Sequence, residues 1–326
     1  MIYAWHENAW QQITACGDNI PNAWLISGRR GIGKTAFACH LSGVLLCENP
    51  PKPFESCGVC ASCRLFEQGS HPDFYELTPK KDEEDNAKKL LQIKIEEVRE
   101  VIKNIHLTPL RGHRRVILIH PAEAMNVQAA NALLKVLEEP SETVVFILVS
   151  HSKDRLLPTI KSRCRHFSLP MPSKQVAVNY LQQQKIPNAH NMLAFHGGSP
   201  LFEFDAELDD LRQQLLAVLS VPRMVAILDF AALFDRKKQP LSLFLEWLNK
   251  WLVDLIAVTH GDNEEVVFYP QYALKLSELA EKLDFSDIFA LYDKTIRLVP
   301  YGQHTLNVKL MVESLLIDYL KLYYKG

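Results

Sequence analysis

Ala23-Trp24-Leu25-Ile26-Ser27 runs directly into Gly28-Arg29-Arg30-Gly31-Ile32-Gly33-Lys34-Thr35, and the residues from Lys34 to Leu46 carry apolar side chains at helical spacing. A short apolar strand, a glycine-rich turn and a helix opening on Lys-Thr are the setting in which G-x4-G-K-[ST] reads as a phosphate-binding loop. Glycines let successive backbone N–H groups curl around phosphate oxygens, and the helix N-terminus adds partial positive charge. In this reading Gly28, Gly31 and Gly33 shape the cradle, Lys34 reaches the β- and γ-phosphates, and Thr35 ligates Mg²⁺. A glycine-rich turn that binds nothing is the plainer alternative.

Beyond the loop, strand and helix patterns alternate. Asp73–Leu77 is a second strand candidate and Ile93–His106 is mostly helix-like. Val116–Ile119 is fully apolar and rich in β-branched residues, as in a strand covered on both faces. Asn126–Glu138 reads as a helix stopped by Pro140, and Thr143–Val149 as another buried strand. This rhythm predicts an α/β domain, a parallel sheet with helices on both faces. Lys80–Lys89 (KKDEEDNAKK) reads as a solvated loop. Pro170–Pro172 and His196–Pro200 punctuate the chain, and strand patterns become scarce after the first of them. From about Leu208 the pattern is long and helical, as in Leu241–Ile256 and Leu306–Tyr324. There Phe244, Trp247, Trp251 and Leu255 form a stripe that suits a core or a contact between subunits.

Behind the loop stand Cys47, Cys57, Cys60 and Cys63, spaced C-x9-C-x2-C-x2-C. Four thiolates at this spacing can close on one tetrahedral Zn²⁺, because each two-residue step turns the chain back onto the same ion. Such a site keeps no position open for water, so it is structural rather than catalytic. Free buried thiols or disulfides are the alternatives. His71 follows Cys63 by eight residues, but four cysteines suffice and it reads as a loop histidine.

The 326 residues are 48% hydrophobic and 23% charged, which suits two or three domains with ample core. A net charge of −2 excludes nucleic-acid binding by bulk charge alone, so a DNA contact needs a local patch or a basic partner. Met1–Trp10 lacks the basic-then-apolar pattern of a signal peptide, and no apolar run is long enough to span a bilayer. Seven cysteines then fit a reducing compartment, four on metal with Cys16, Cys39 and Cys164 as thiols, so a cytoplasmic protein is expected.

Hydrolysis at such a loop needs an acid at the end of a later apolar strand, to hold Mg²⁺. After Val116-Ile117-Leu118-Ile119 that position holds His120, and the next, where a water-activating Glu often sits, holds Pro121. A neutral imidazole is a poor Mg²⁺ ligand and proline has no side-chain acceptor. Glu123 comes three residues too late by spacing. The expectation is a loop open to ATP and Mg²⁺, with turnover very slow or absent.

Three further stretches narrow the reading: Gly69-Ser70-His71-Pro72-Asp73, Asn131-Ala132-Leu133-Leu134-Lys135-Val136-Leu137-Glu138-Glu139-Pro140, and Ser162-Arg163-Cys164. With the loop and the cysteines, they make the chain similar to the bacterial DNA polymerase III clamp-loader family, and within it to the delta-prime subunits. The motifs lie in the first 170 residues, and the remainder is similar in architecture only. The resemblance implies an AAA+ RecA-like P-loop domain over residues 1–169 with a zinc module at 47–63, a small helical lid over 170–207 and an all-α collar for assembly over 208–326. It implies that Arg163, in the family's SRC motif, projects into a neighbouring subunit's nucleotide site as an arginine finger. An ordinary surface arginine in a basic run with Lys161 and Arg165 is the alternative.

The implied partners are gamma/tau and delta subunits in a hetero-pentamer, the sliding clamp, and primer–template DNA reached through the assembly, with no membrane. The lid's G-S-x-R motif aligns with Gly198-Ser199-Pro200-Leu201, so Leu201 replaces its arginine, and the sensor position near Ser150 and His151 is a weak match. The missing acid, the missing lid arginine and an end at Gly326 without the long extension of tau agree with a stator that does not hydrolyse ATP. No cluster of carboxylates for two metals suggests polymerase chemistry, so the expected role in the holoenzyme is non-catalytic. The rivals are an active AAA+ motor subunit of the same loader and a zinc-dependent DNA-binding module with a vestigial loop. A small-molecule P-loop kinase would leave the cysteines and the SRC motif unexplained.

Overall fold

The computed structural model describes residues 2–17, 19–79, 92–105, 107–259, 266–302 and 307–324. The charged Lys80–Lys89 stretch, His106 and Leu306 lie outside these residues. The chain divides into two compact units, Met1–Val176 and Ala177–Gly326.

In the first unit five parallel strands, β1 (Ala23–Ser27), β2 (Phe74–Leu77), β3 (Arg115–Ile119), β4 (Val144–Ser150) and β5 (Arg165–Ser168), lie in the order β2-β3-β4-β1-β5. Helices α1 (Glu7–Thr14), α2 (Lys34–Leu45), α3 (Ala61–Glu67), α4 (Ile95–Ile105), α5 (Val127–Glu138) and α6 (Pro158–Lys161) connect or flank them. Every residue of β1, β3 and β4 is buried, as continuous apolar runs require when both faces of a sheet are covered.

Successive side chains serve opposite faces. Trp24 and Ile26 join Val116, Leu118 and Ile147 in one core with Phe37 and Leu41 of α2. Leu25, Ile117, Ile119, Phe146 and Leu148 form the other with Val98 and Val101 of α4 and Leu133 and Val136 of α5. The α/β fold with helices on both faces, expected of an AAA+ domain, is the fold observed.

Two details differ from the sequence patterns. Ile93 lies ahead of α4 and forms a backbone bridge to Met125 instead of a helical turn. Arg165–Ser168 is a strand, although its polar residues read as part of a basic run. It is an edge strand held by backbone pairing to β1, from Trp24 opposite Arg165 to Ser27 opposite Ser168, so its side chains need not be apolar.

The second unit contains most of α7 (Lys174–Gln183), then α8 (Ala189–Phe195), α9 (Ala206–Ser220), α10 (Met224–Arg236), α11 (Leu241–Thr259), α12 (Ala273–Ala280), α13 (Phe285–Leu298) and α14 (Val308–Lys321). It has no strand among the described residues. Ala177, Val178, Leu181, Ala189 and Leu193 form a small cluster between α7 and α8. A larger core gathers α9 to α14 around α11.

Phe244, Trp247, Trp251 and Leu255 are at most 3% exposed, so this stripe is core and offers no surface to another subunit. The Trp251 indole donates to the Tyr319 hydroxyl at 3.0 Å, and that hydroxyl donates to the Leu219 carbonyl at 3.0 Å. Asp254 accepts the N–H groups of Val267 at 2.8 Å and Tyr269 at 2.7 Å, tying a loop back to α11, while burial pushes its pKa up. No helix among the described residues is long and apolar enough to cross a membrane.

Candidate nucleotide and metal sites

β1 delivers the phosphate loop at its carboxyl end, and the loop's glycines adopt backbone angles that other residues avoid. Gly31 has φ +76° and Gly33 φ +91°. A Cβ on Gly33 would lie 2.6 Å from the Tyr3 ring and 2.9 Å from Cε1 of His6. The close approach arises because the N-terminal segment packs onto the loop. Trp5 Nε1 donates to the Ile32 carbonyl at 3.0 Å, and the Tyr3 and Trp5 rings stack with centroids 4.6 Å apart. His6 is fully buried against Phe37, and its ring nitrogens make no hydrogen bond of normal geometry, the Ile32 carbonyl acting on the ring only weakly. Burial holds its pKa below the ordinary 6.5, so it is neutral. Sequence reading missed this clasp, whose only signal is the aromatic density of Tyr3, Trp5 and Trp10.

Lys34 is buried at the start of α2, with Thr35 beside it, and donates from Nζ to the Arg29 carbonyl at 2.5 Å. Burial lowers its pKa to about 8, the Glu123 carboxylate opposes that shift, and Arg30 adds to it. Lys34 and Glu123 are therefore within electrostatic reach of each other. His120, at the strand end where an acid was expected, pairs through Nε2 with Glu76 Oε1 at 2.7 Å. Glu123 accepts the backbone N–H of His151 on Oε1 at 2.8 Å, while its Oε2 is buried without a partner.

The four cysteines converge as their spacing implies. Their sulfur atoms all lie within 4.8 Å of one another, and they could hold a metal ion. A tetrahedral zinc with sulfurs at ~2.3 Å needs them about 3.8 Å apart. Cys57 and Cys63 are already 4.0 Å apart. Backbone N–H groups aim at the sulfurs: Cys57 N at Cys47 Sγ (3.3 Å), Cys60 N at Cys57 Sγ (3.4 Å) and Cys63 N at Cys60 Sγ (3.4 Å). Hydrogen bonds from Val59 and Cys60 lower the Cys57 pKa to about 6, favouring thiolate, whereas burial raises that of Cys63. Gly58, at φ +70°, makes the turn between the first two close cysteines, and Cys60 caps α3. None of the seven cysteines is in a disulfide.

His71 is not part of this cluster. Its Nδ1 accepts the Asp73 N–H at 3.1 Å, which leaves Nε2 to donate to Ser62 Oγ at 3.0 Å, and Ser62 donates to Glu48 at 2.9 Å. The chain of bonds ties the cysteine module to the start of β2.

Arg163 lies at the other end of the sheet. It precedes β5, whose Arg165 pairs with Trp24 near the amino end of β1, whereas the loop leaves the carboxyl end of β1 after Ser27. At about 3.3 Å per residue, that is a strand length of roughly 10 Å before either side chain is counted. Arg163 is exposed and bonded to Glu138 Oε1 at 2.6 Å and to the Thr159 carbonyl at 3.0 Å.

Toward the other edge of the sheet, sequence reading missed a buried pair. Arg115 Nη2 meets Asp73 Oδ1 at 2.8 Å, and Asp73 also accepts the N–H groups of Leu110 at 3.0 Å and Arg111 at 2.7 Å. Burial works against the Asp73 carboxylate, yet these donors together hold its pKa below the ordinary 3.8. The signal available in sequence was Asp73 in Gly69–Asp73 together with an arginine opening an apolar strand.

Comparison with known proteins gives a consistent result. The family model described as DNA polymerase III, delta subunit, matches residues 6–173, and the one described as its C-terminal part matches residues 206–321. The chain is 32% identical to DNA polymerase III subunit delta' of Pseudomonas aeruginosa, over 98% of each chain. It is 34% identical to subunit delta' of Escherichia coli K12, over 74% of this chain and 71% of that one. With the tau subunit of the same organism it shares 39% identity over 46% of this chain and 22% of tau.

Proposed function

Since the chain belongs to the family of DNA polymerase III delta' subunits, we propose that it is the stator of a clamp loader, lending Arg163 to a neighbouring subunit's ATP site. The observation that carries the arginine's role is its place in the fold. Arg163 stands at the opposite end of the sheet from the chain's own phosphate loop, exposed, and held by a surface ion pair with Glu138. Such pairs are weak and exchangeable, so the guanidinium is free to serve another chain's phosphate. There it would spread positive charge over the transferring phosphoryl group.

The rest of the reading follows the family. Gamma/tau and delta subunits complete a hetero-pentamer that loads the sliding clamp onto primed DNA in the cytoplasm. Residues 170–207 form a lid and 208–326 a collar for assembly. Cys47, Cys57, Cys60 and Cys63 hold a structural zinc: their sulfurs are near tetrahedral spacing and are met by backbone donors. Gly28, Gly31, Gly33, Lys34 and Thr35 can receive nucleotide phosphates, while His120 and Pro121 leave the chain unable to turn ATP over.

The test is ATP turnover by a reconstituted loader with clamp and primer–template, using wild-type chain or Arg163→Ala, beside the isolated chain. An inert isolated chain and a slowed Arg163→Ala assembly are expected. Hydrolysis by the isolated chain at the assembly's rate would mean a motor subunit instead.

A further inference from the structure

We propose that Glu123 supplies the carboxylate this phosphate loop otherwise lacks, so that Gly28–Thr35 holds a nucleoside triphosphate together with its magnesium ion despite His120 at the strand end. The proposal rests on the nucleotide-binding part of the reading above and is independent of Arg163.

By spacing Glu123 comes too late to serve. In the fold it returns. Beyond β3, His120 pairs with Glu76 at 2.7 Å. A short turn over Ala122–Ala124 follows, and the backbone N–H of His151, just past the end of β4, fixes Glu123 Oε1 at 2.8 Å. Since β3 and β4 are parallel neighbours, both contacts lie at the carboxyl end of the sheet, where β1 delivers the loop. One carboxylate oxygen is thereby oriented and the other, Oε2, is left buried and unbonded. A buried carboxylate oxygen without a partner is costly, and a cation or a water carried by that cation would satisfy it.

Lys34 and Glu123 sense each other electrostatically, which places the carboxylate in the field of the loop's own phosphate-binding lysine. The same arrangement explains binding without turnover. Oε1 is engaged by His151, Pro121 offers no acceptor, and a carboxylate occupied by the ion cannot also activate water.

Equilibrium binding of a fluorescent ATP analogue to the full-length chain tests this, with Mg²⁺ or with EDTA. Wild-type should bind about tenfold more tightly with Mg²⁺, the scale of a charge-assisted contact. Glu123→Gln keeps the side chain's shape and its acceptor for His151. It should keep or tighten the metal-free affinity, since it removes a negative charge beside the phosphate site, and lose the gain from Mg²⁺. Glu76→Gln, which removes the partner of His120, should retain that gain. Any of three results overturns the proposal: no Mg²⁺ gain in the wild type, a gain that survives Glu123→Gln, or a gain lost in Glu76→Gln. Assembly with the other loader subunits and the Arg163→Ala effect are measured separately, so failure here leaves the stator reading standing and failure there leaves Glu123 standing.

Discussion

The two ends of one parallel sheet have opposite characters. At the carboxyl end the glycine loop is complete, but a neutral histidine clasp packs on it and the strand-end acid is missing. At the amino end an exposed arginine is held by Glu138 and the Thr159 carbonyl, and toward the other edge of that end Asp73 and Arg115 form a buried ion pair. On the proposed stator reading, the receiving half of the reaction is curtailed in this chain and the giving half is intact.

Arg163→Ala and Lys34→Ala are the strongest way to break that contrast. If Arg163 acts in trans as proposed, Arg163→Ala should cost roughly 10³-fold or more in turnover at the neighbouring site. If the chain is a stator that does not hydrolyse ATP, Lys34→Ala should leave the assembly's turnover nearly unchanged. Steady-state ATPase of the reconstituted loader reads both, and the reverse pattern would sink the comparison.

Stability should divide in the same sense. Asp73→Ala leaves Arg115 charged, buried and unpaired, and breaking such a pair costs about 3–5 kcal/mol. His6→Phe replaces a buried ring whose nitrogens make no hydrogen bond of normal geometry, so it should be close to neutral or stabilising. Urea unfolding of the two variants measures the difference.

The two ends should also respond to acid in different windows. His6 has a lowered folded pKa, so below about pH 6.5 the unfolded chain takes up a proton that the folded chain refuses, and stability falls as pH falls. His6→Phe should flatten that slope. Asp73 also has a lowered folded pKa, but as an acid it contributes fully above 3.8, and its contribution is lost only as pH falls through the lower folded value. Melting temperature against pH for wild-type and each variant separates the two.

The smallest effect concerns α5, which starts near the carboxyl end of the sheet and finishes at Glu138, the partner of Arg163. Asn126 caps it by accepting the Ala129 N–H at 2.7 Å, and Asn126→Ala should cost ~1 kcal/mol. If it also slows the assembly's turnover, the support of Arg163 extends the length of the helix.

Much of this was legible in the residues. The apolar runs at Ala23–Ser27, Val116–Ile119 and Thr143–Val149 could be satisfied only as covered strands, and they are. The C-x9-C-x2-C-x2-C spacing brought four sulfurs together because two-residue steps leave the chain little choice. Strand β5 was hidden because an edge strand is held by backbone pairing and its side chains carry no period. The stripe from Phe244 to Leu255 left two readings open, since periodicity shows which residues share a face and not what covers that face.

Glu123 marks the boundary between the two kinds of information. Sequence alone determined the loop, the missing strand-end acid, the thiol cluster and the family, because each depends on residues a few positions apart whose geometry the local backbone dictates. Only the tertiary structure decided that Glu123 returns to the field of Lys34, that Tyr3 and His6 close on Gly33, that Asp73 meets Arg115, and that Arg163 stands at the opposite end of the sheet from its own loop. Those relations join residues tens of positions apart. Strand order and the burial of unlike segments against one another set them, and no local spacing records either.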